Sequence, residues 1–130
     1  MTIREIPLII NGEKVRSTTD TWLDVLNPAT QEVVARVPMA TKAEIEAAVA
    51  NAAEAFKTWS KVSLTNRMRI MLTFQQLVRE HTQELAELVT LEHGKTLPDA
   101  EGEVGRSLEA IENACSVTRL QLGEMANNAA

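Results

Sequence analysis

The apolar positions of this chain change period near residue 40. Upstream they come in short runs broken by turn-forming residues, and downstream they recur at helical spacing. Leu8-Ile9-Ile10, then Asn11-Gly12, then Glu13-Lys14-Val15 predicts a hairpin, because Asn-Gly accepts the positive φ angles of a two-residue turn. A second strand pair is predicted over Trp22 to Leu26 and Glu32 to Val37. Its connection is Asn27-Pro28-Ala29-Thr30, in which Pro fixes φ and Asn can bond to its own backbone. Pro38 is expected to end this strand-rich part.

Thr41 with Glu44 three residues later is a capping-box pattern. Ile45, Ala48, Val49, Ala52, Phe56 and Trp59 then place one apolar stripe on a helix predicted from Thr41 to about Trp59. A second helix is predicted from Ser63 to about His81. Its Met68, Ile70, Met71, Leu72, Phe74, Leu77 and Val78 cover much of the circumference, so neighbours are expected on several sides. Thr82 is the expected N-cap of a short third helix carrying Leu85, Leu88 and Val89, with Gly94 as its left-handed stop. Pro98 suits the first turn of a fourth helix, where Val104, Leu108, Ile111, Cys115, Thr118 and Leu122 form one narrow seam. Gly102 and Gly105 lie inside that helix at about 1 kcal/mol each relative to Ala, so something is expected to approach the backbone there.

The order of elements predicts an α+β, mostly helical fold: a β-hairpin layer over residues 1–40, a layer of about four helices over 41–124, and a tail over 125–130. Composition changes this picture only by exclusion. At 45% hydrophobic and 24% charged the chain is ordinary for a globular protein. Only 3% is aromatic and the net charge is -5, which leaves little to stack on bases and repels a phosphate backbone, so no nucleic acid is expected as partner. The first ten residues lack the basic region and long apolar core of a signal peptide, and no stretch is apolar enough to span a bilayer. The expectation is a cytoplasmic protein with no membrane partner. The single Cys115 cannot form an intrachain disulfide.

Candidate chemistry is sparse. Cys115 falls on an apolar stripe and reads as a small core residue. His81 and His93 fall near helix ends without a carboxylate or thiol cluster at ligand spacing, so no metal site is expected. Gly94-Lys95 follows a helix and reads as a C-cap with a cation at the dipole's negative end, not as a phosphate loop. Gly102-Glu103-Val104-Gly105-Arg106 lacks the preceding strand and the spacing of a dinucleotide fingerprint. Two readings of Arg106 stand side by side. It can pair with Glu103 three residues earlier on one helix face, or it can present its guanidinium fork to a small carboxylate beside two glycines that clear the approach.

Three stretches in order and spacing resemble the opening of an aldehyde dehydrogenase: Leu26-Asn27-Pro28-Ala29-Thr30, Ala53 through Ser60, and Leu91-Glu92-His93-Gly94-Lys95. Within that superfamily, Phe56 through Val62, Phe74-Gln75-Gln76-Leu77, Gly102 through Arg106 and Ala114 through Thr118 resemble the CoA-acylating methylmalonate-semialdehyde dehydrogenases. The resemblance runs from about Leu8 to Glu124 and covers the first quarter of a typical member. It implies an N-terminal region of that fold, without the Rossmann and catalytic domains. Family members oxidise methylmalonate or malonate semialdehyde with NAD, hold the acyl group as a cysteine thioester and pass it to CoA with loss of carbon dioxide. Their nucleophile and cofactor groove lie downstream. By resemblance Arg106 is the arginine that holds the substrate carboxylate in a complete enzyme, and no catalytic or cofactor-binding residue is carried over.

After Gly123-Glu124 the family continues into a strand-rich arm, whereas this chain ends Met125-Ala126-Asn127-Asn128-Ala129-Ala130, which is read as a truncation or altered reading frame. The expectation is therefore a fragment of an NAD-dependent, CoA-acylating dehydrogenase that is inactive alone and takes no cofactor by itself. It is expected to self-associate or to dock onto a dehydrogenase domain. A non-catalytic binding module that docks onto a full-length dehydrogenase or another protein is the alternative, and a self-sufficient enzyme of new design is a third.

Overall fold

A computed structural model describes residues 3–116. Five strands and four helices follow in order: β1 (Arg4–Glu5), β2 (Leu8–Ile10), β3 (Glu13–Val15), β4 (Trp22–Leu26), β5 (Val33–Pro38), α1 (Lys42–Trp59), α2 (Leu64–Glu80), α3 (Thr82–His93) and α4 (Leu97–Cys115). The expected α+β, mostly helical architecture is present. The chain divides into two compact units, Met1–Lys61 with Leu88–Thr96, and Val62–Glu87 with Leu97–Ala130. Thr118, Leu122 and the tail 125–130 lie outside the described residues, so the far end of the fourth-helix seam does too.

In the first unit the two hairpins form as their turn chemistry dictates. Asn11 and Gly12 take φ of 55° and 76°, closing β2 on β3 with Ile10 opposite Glu13. In the second turn, the Asn27 side-chain oxygen accepts from the amides of Ala29 and Thr30, and its carbonyl accepts from the Gln31 amide at 2.7 Å. Gln31 absorbs the reversal with φ of 61°. The β4–β5 ladder then shifts register, Val25 facing Ala35 and Leu26 facing Val33, so Val34 is the extra residue of a bulge. Pro38 is the last residue of β5, but the contact runs one residue further through the Met39 amide, which donates to the Thr21 carbonyl.

The N-terminal strand is the element that the hydrophobic pattern does not predict. β1 pairs in parallel with β5, Arg4 opposite Ala35, which makes a sheet of order β1-β5-β4 beside the separate β2-β3 pair. Its two residues carry no alternation to read, and the partner lies some thirty positions downstream.

α1 starts on the full capping box: the Glu44 amide donates to the Thr41 hydroxyl, and the Thr41 amide donates to the Glu44 carboxylate at 2.8 Å. The same carboxylate also accepts from the Thr18 amide at 2.7 Å and the buried Ser17 hydroxyl at 2.9 Å. The Thr18 and Thr41 amides, aided by Ser17 and opposed by partial shielding from water, hold the Glu44 carboxyl down at about 2. At the far side of this unit, Gly94 ends α3 with φ of 79°, its amide donating to the Thr90 carbonyl. A β-carbon placed on Gly94 would stand 2.8 Å from Cγ of Pro28.

In the second unit, α2 is capped by the Ser63 hydroxyl, which accepts from the Asn66 amide. The junction to α3 corrects one expectation. Thr82 is not an N-cap: its hydroxyl donates back to the carbonyls of Val78 and Arg79. His81 fills the role instead, its carbonyl accepting the Leu85 amide while its own amide donates to Leu77. A helix terminus needs its free amides and carbonyls partnered, and here one residue serves both helices. α2 packs against α4, where Glu112 accepts from Gln75 at 2.7 Å and from Arg79 at 3.2 Å. Val104 is buried, while Leu108, Ile111 and Cys115 are half-buried along the seam.

Much of the apolar surface of the helices is exposed. The α1 stripe does not face a core: Ile45, Val49 and Phe56 are 54%, 63% and 64% exposed. On α2, Ile70, Leu72, Phe74 and Leu77 are also exposed. The buried hydrophobic residues are small, namely Ala35, Ala86, Ala100 and Val104. Among the described residues no helix is long and apolar enough to cross a membrane.

Two outcomes follow from these local balances. Because the folded-state pKa of Glu44 is depressed, its contribution is complete above pH 4.5 and fades as the pH falls toward 2. Glu44→Gln, which turns an amide NH2 toward hydrogen-bond donors, should lower Tm at pH 7, and the gap to the parent chain should narrow between pH 4.5 and 2 in thermal melts. A constant gap across that range would remove the carboxylate from the account. Separately, a β-carbon at Gly105 meets nothing within 4 Å and one at Gly102 meets only the Arg106 guanidinium at 4.0 Å. Gly102→Ala and Gly105→Ala should each therefore stabilise the chain by about 1 kcal/mol in urea unfolding.

Candidate functional site

The residues with a chemical reading gather on α4. Asp99 sits in the first turn of α4 near the free amides, and Gly102, Glu103, Gly105 and Arg106 follow over the next turns. Long side chains on a helix lean toward its N-terminus, and Arg106 does so: its Nη1 lies 4.0 Å from where a Gly102 β-carbon would stand. The guanidinium thus lies over the space left by Gly102. No other part of the described chain comes within 4 Å of that position or of the equivalent one at Gly105, so the expected close approach is absent among the described residues.

Arg106 Nη2 donates to Glu103 Oε1 at 2.5 Å, the i,i+3 ion pair foreseen for this face. The arginine side chain remains 65% exposed and the glutamate 40%. An exposed pair of this kind is worth tenths of a kcal/mol and exchanges readily for another carboxylate. Glu103 occupies part of the guanidinium fork, and the remainder of the side chain is exposed.

The other candidates are dispersed. Cys115 is the last residue of α4, half-buried and a free thiol. His81 lies 2.9 Å from Glu84 at the α2–α3 junction, and His93 closes α3. No group of three His, Cys, Asp or Glu among the described residues is placed to hold a metal ion. The strand-to-helix turn of a dinucleotide fingerprint is not found among the described residues. None of their strands leads through a glycine-rich turn into a helix, since Gly94 follows α3 and both remaining glycines beyond it in the described range lie within α4.

Two of the stretches singled out by spacing do meet in the first unit. Asn27-Pro28 and His93-Gly94 are far apart in sequence, yet the Pro28 ring rests against Gly94. The polar centre that local reading misses is Glu44. Its capping role is legible from Thr41, but its bonds to Ser17 and Thr18 span 27 and 26 positions and leave no periodic signal. An open apolar cleft of about 160 Å³ beside it is lined by Leu8, Ile9, Ile10, Ala40, Ile45 and Ala48.

Comparison with known proteins places this arrangement. The profile of the aldehyde dehydrogenase family matches residues 14–130. The rat mitochondrial methylmalonate-semialdehyde/malonate-semialdehyde dehydrogenase, an acylating enzyme, is 54% identical over 119 residues, 92% of this chain and 22% of that protein. The malonate-semialdehyde dehydrogenase of Bacillus subtilis is 51% identical over 94% of this chain and 25% of its own length. Among solved structures, a Sinorhizobium meliloti protein assigned as a methylmalonate-semialdehyde dehydrogenase, in complex with NAD, superimposes with a TM-score of 0.90 at 35% identity. That match covers 99% of this chain and 26% of the other. The chain thus spans about a quarter of the length of the relatives it matches. With a matching family profile over nine-tenths of its residues and the strands and helices of that fold's N-terminal part, this chain belongs to the aldehyde dehydrogenase family.

Proposed function

We propose that the chain forms the N-terminal layer of an NAD-dependent, CoA-acylating dehydrogenase of methylmalonate or malonate semialdehyde, and is inactive by itself. The observation that carries this reading is the pair of relatives named as dehydrogenases of methylmalonate or malonate semialdehyde, the rat one as acylating, each about half identical to nearly the whole chain and about four times its length. Cytoplasmic placement belongs to the same reading, although the rat relative is named as mitochondrial. In the complete enzyme, Arg106 is the residue that holds the substrate carboxylate. Its support is an exposed guanidinium beside Gly102, paired among the described residues with a partly exposed glutamate. NAD and CoA belong, in this reading, to the complete enzyme.

The same reading gives the exposed apolar residues of α1 and α2 a purpose: they meet protein, either a dehydrogenase domain or a second copy of this chain. Two measurements on the purified chain test this. Titration calorimetry should detect no NAD binding, and no NADH should form with methylmalonate semialdehyde and CoA. Sedimentation across a concentration series should reveal association, accompanied by binding of a hydrophobic dye. Saturable NAD binding would overturn the first half, and a dye-silent monomer at every concentration the second.

The substrate assignment is tested in a complete enzyme, made by joining residues 1–124 to the downstream part of a related dehydrogenase. Arg106→Leu should lower kcat/KM for methylmalonate semialdehyde by about 30- to 150-fold, equivalent to roughly 2 to 3 kcal/mol for a lost charge-assisted contact. An uncharged aldehyde of similar size should lose much less. Equal losses on the two substrates would return Arg106 to its helix-bracing role with Glu103.

A further inference from the structure

We propose that Asn11 is a site of spontaneous deamidation driven by the main chain of its own turn. The Gly12 nitrogen attacks the side-chain carbonyl of Asn11, the carbon–nitrogen bond of the side-chain amide breaks, and ammonia leaves with the proton from Gly12. The resulting succinimide is opened by water, at one carbonyl to aspartate and at the other to isoaspartate. No electrons are exchanged, and water is the sole co-reactant.

Three features of the turn favour the reaction. Asn11 and Gly12 are both exposed, and apart from its chain neighbours nothing lies within 4 Å of where a Gly12 β-carbon would stand, so no distant part of the described chain crowds the turn on that side. Gly12 occupies the second central position of a two-residue turn whose closing pair is Ile10 and Glu13, which leaves its amide outside the strand ladder. The Asn11 side chain makes no hydrogen bond to another described residue, so nothing holds the electrophilic amide away. Ring closure requires Asn11 to rotate out of its left-handed conformation, and the hairpin permits this. It is a separate two-stranded sheet of three residue pairs, with β3 exposed throughout, and such a pair opens at small cost.

The other described asparagines lack this combination. Asn27 is followed by Pro28, which has no amide hydrogen, and its side chain is engaged by Ala29 and Thr30. Asn51, Asn66 and Asn113 lie inside α1, α2 and α4, where a following residue with a side chain crowds the nitrogen and the helix fixes the backbone. The consequence at Asn11 is larger than one added negative charge. Isoaspartate routes the main chain through the side-chain carbon and inserts a methylene, so the turn can no longer set Leu8 opposite Val15.

The experiment uses the full chain, aged at neutral and at mildly alkaline pH and then digested with trypsin. Cleavage after Arg4 and Lys14 releases residues 5–14, in which Asn11 is the sole asparagine. The expected result is conversion of this peptide to the acid form, with isoaspartate exceeding aspartate, faster at the higher pH. The rate should lie within about tenfold of that of a synthetic peptide of the same residues, as a marginal hairpin implies. Asn11→Asp provides the product with a normal main chain as a standard. Asn11→Gly, which keeps a residue suited to positive φ, should leave the same segment unchanged on ageing. Retention of the Asn11 amide after the synthetic peptide has converted would overturn the proposal. Conversion of Asn51, Asn66 and Asn113 at the same rate as Asn11 would do so as well.

Discussion

The Glu44 carboxylate is the point from which the first unit is organised. It accepts the Thr41 amide at the start of α1, the Thr18 amide, and the hydroxyl of Ser17, which is 7% exposed. The bonding then steps along the chain: Ser17 Oγ accepts from the Thr19 amide, Thr19 Oγ1 from the Thr21 amide, and the Thr19 carbonyl from the Trp22 indole. Each donor finds an acceptor without any regular ladder, as backbone polar groups withdrawn from water require. An irregular stretch of serine and threonine thereby becomes a fixed lead into β4. Neutralising one carboxylate loosens the start of a helix and the approach to a strand together.

The hydrophobic side tells a different story. The buried hydrophobic residues among those described are alanines and one valine, whereas bulky side chains such as Val49, Phe56, Ile70 and Phe74 on α1 and α2 are exposed. Much of the apolar surface of α1 and α2 is thus left unburied by the described residues. The proposed role as one layer of a larger dehydrogenase gives those surfaces a partner. It also gives meaning to the glycines of α4, which weaken their helix with no described neighbour to justify them.

Legibility follows the range of the interaction. The Asn11-Gly12 turn, the Thr41 capping box, the Ser63 cap and the Gly94 stop are set by neighbours within a few positions, and all appear where the residue pattern places them. β1 is invisible to such reading because its pairing with β5 is long-range and its two residues have no period. The assignment of Thr82 as a cap fails for a subtler reason. Its hydroxyl has two nearby carbonyls of the preceding helix available, and donation to them displaces the expected acceptance from its own helix. Amphipathic stripes are correctly located, but periodicity says which face is apolar, not whether this chain contains what covers it. At the candidate site, spacing reveals the Glu103–Arg106 pair, while a role toward a substrate carboxylate enters through family likeness.

The contact between Pro28 and Gly94 ties together two positions far apart in the sequence. A side chain at 94 meets two obstacles of different kind: the proline ring 2.8 Å from its β-carbon, and its own φ of 79°. The first is shared, and a smaller residue at 28 would relieve it. The second belongs to position 94 alone, and no change elsewhere removes it short of rebuilding the end of α3. The two positions are therefore asymmetric: a smaller residue at 28 removes one obstacle to a side chain at 94 and leaves the other in place.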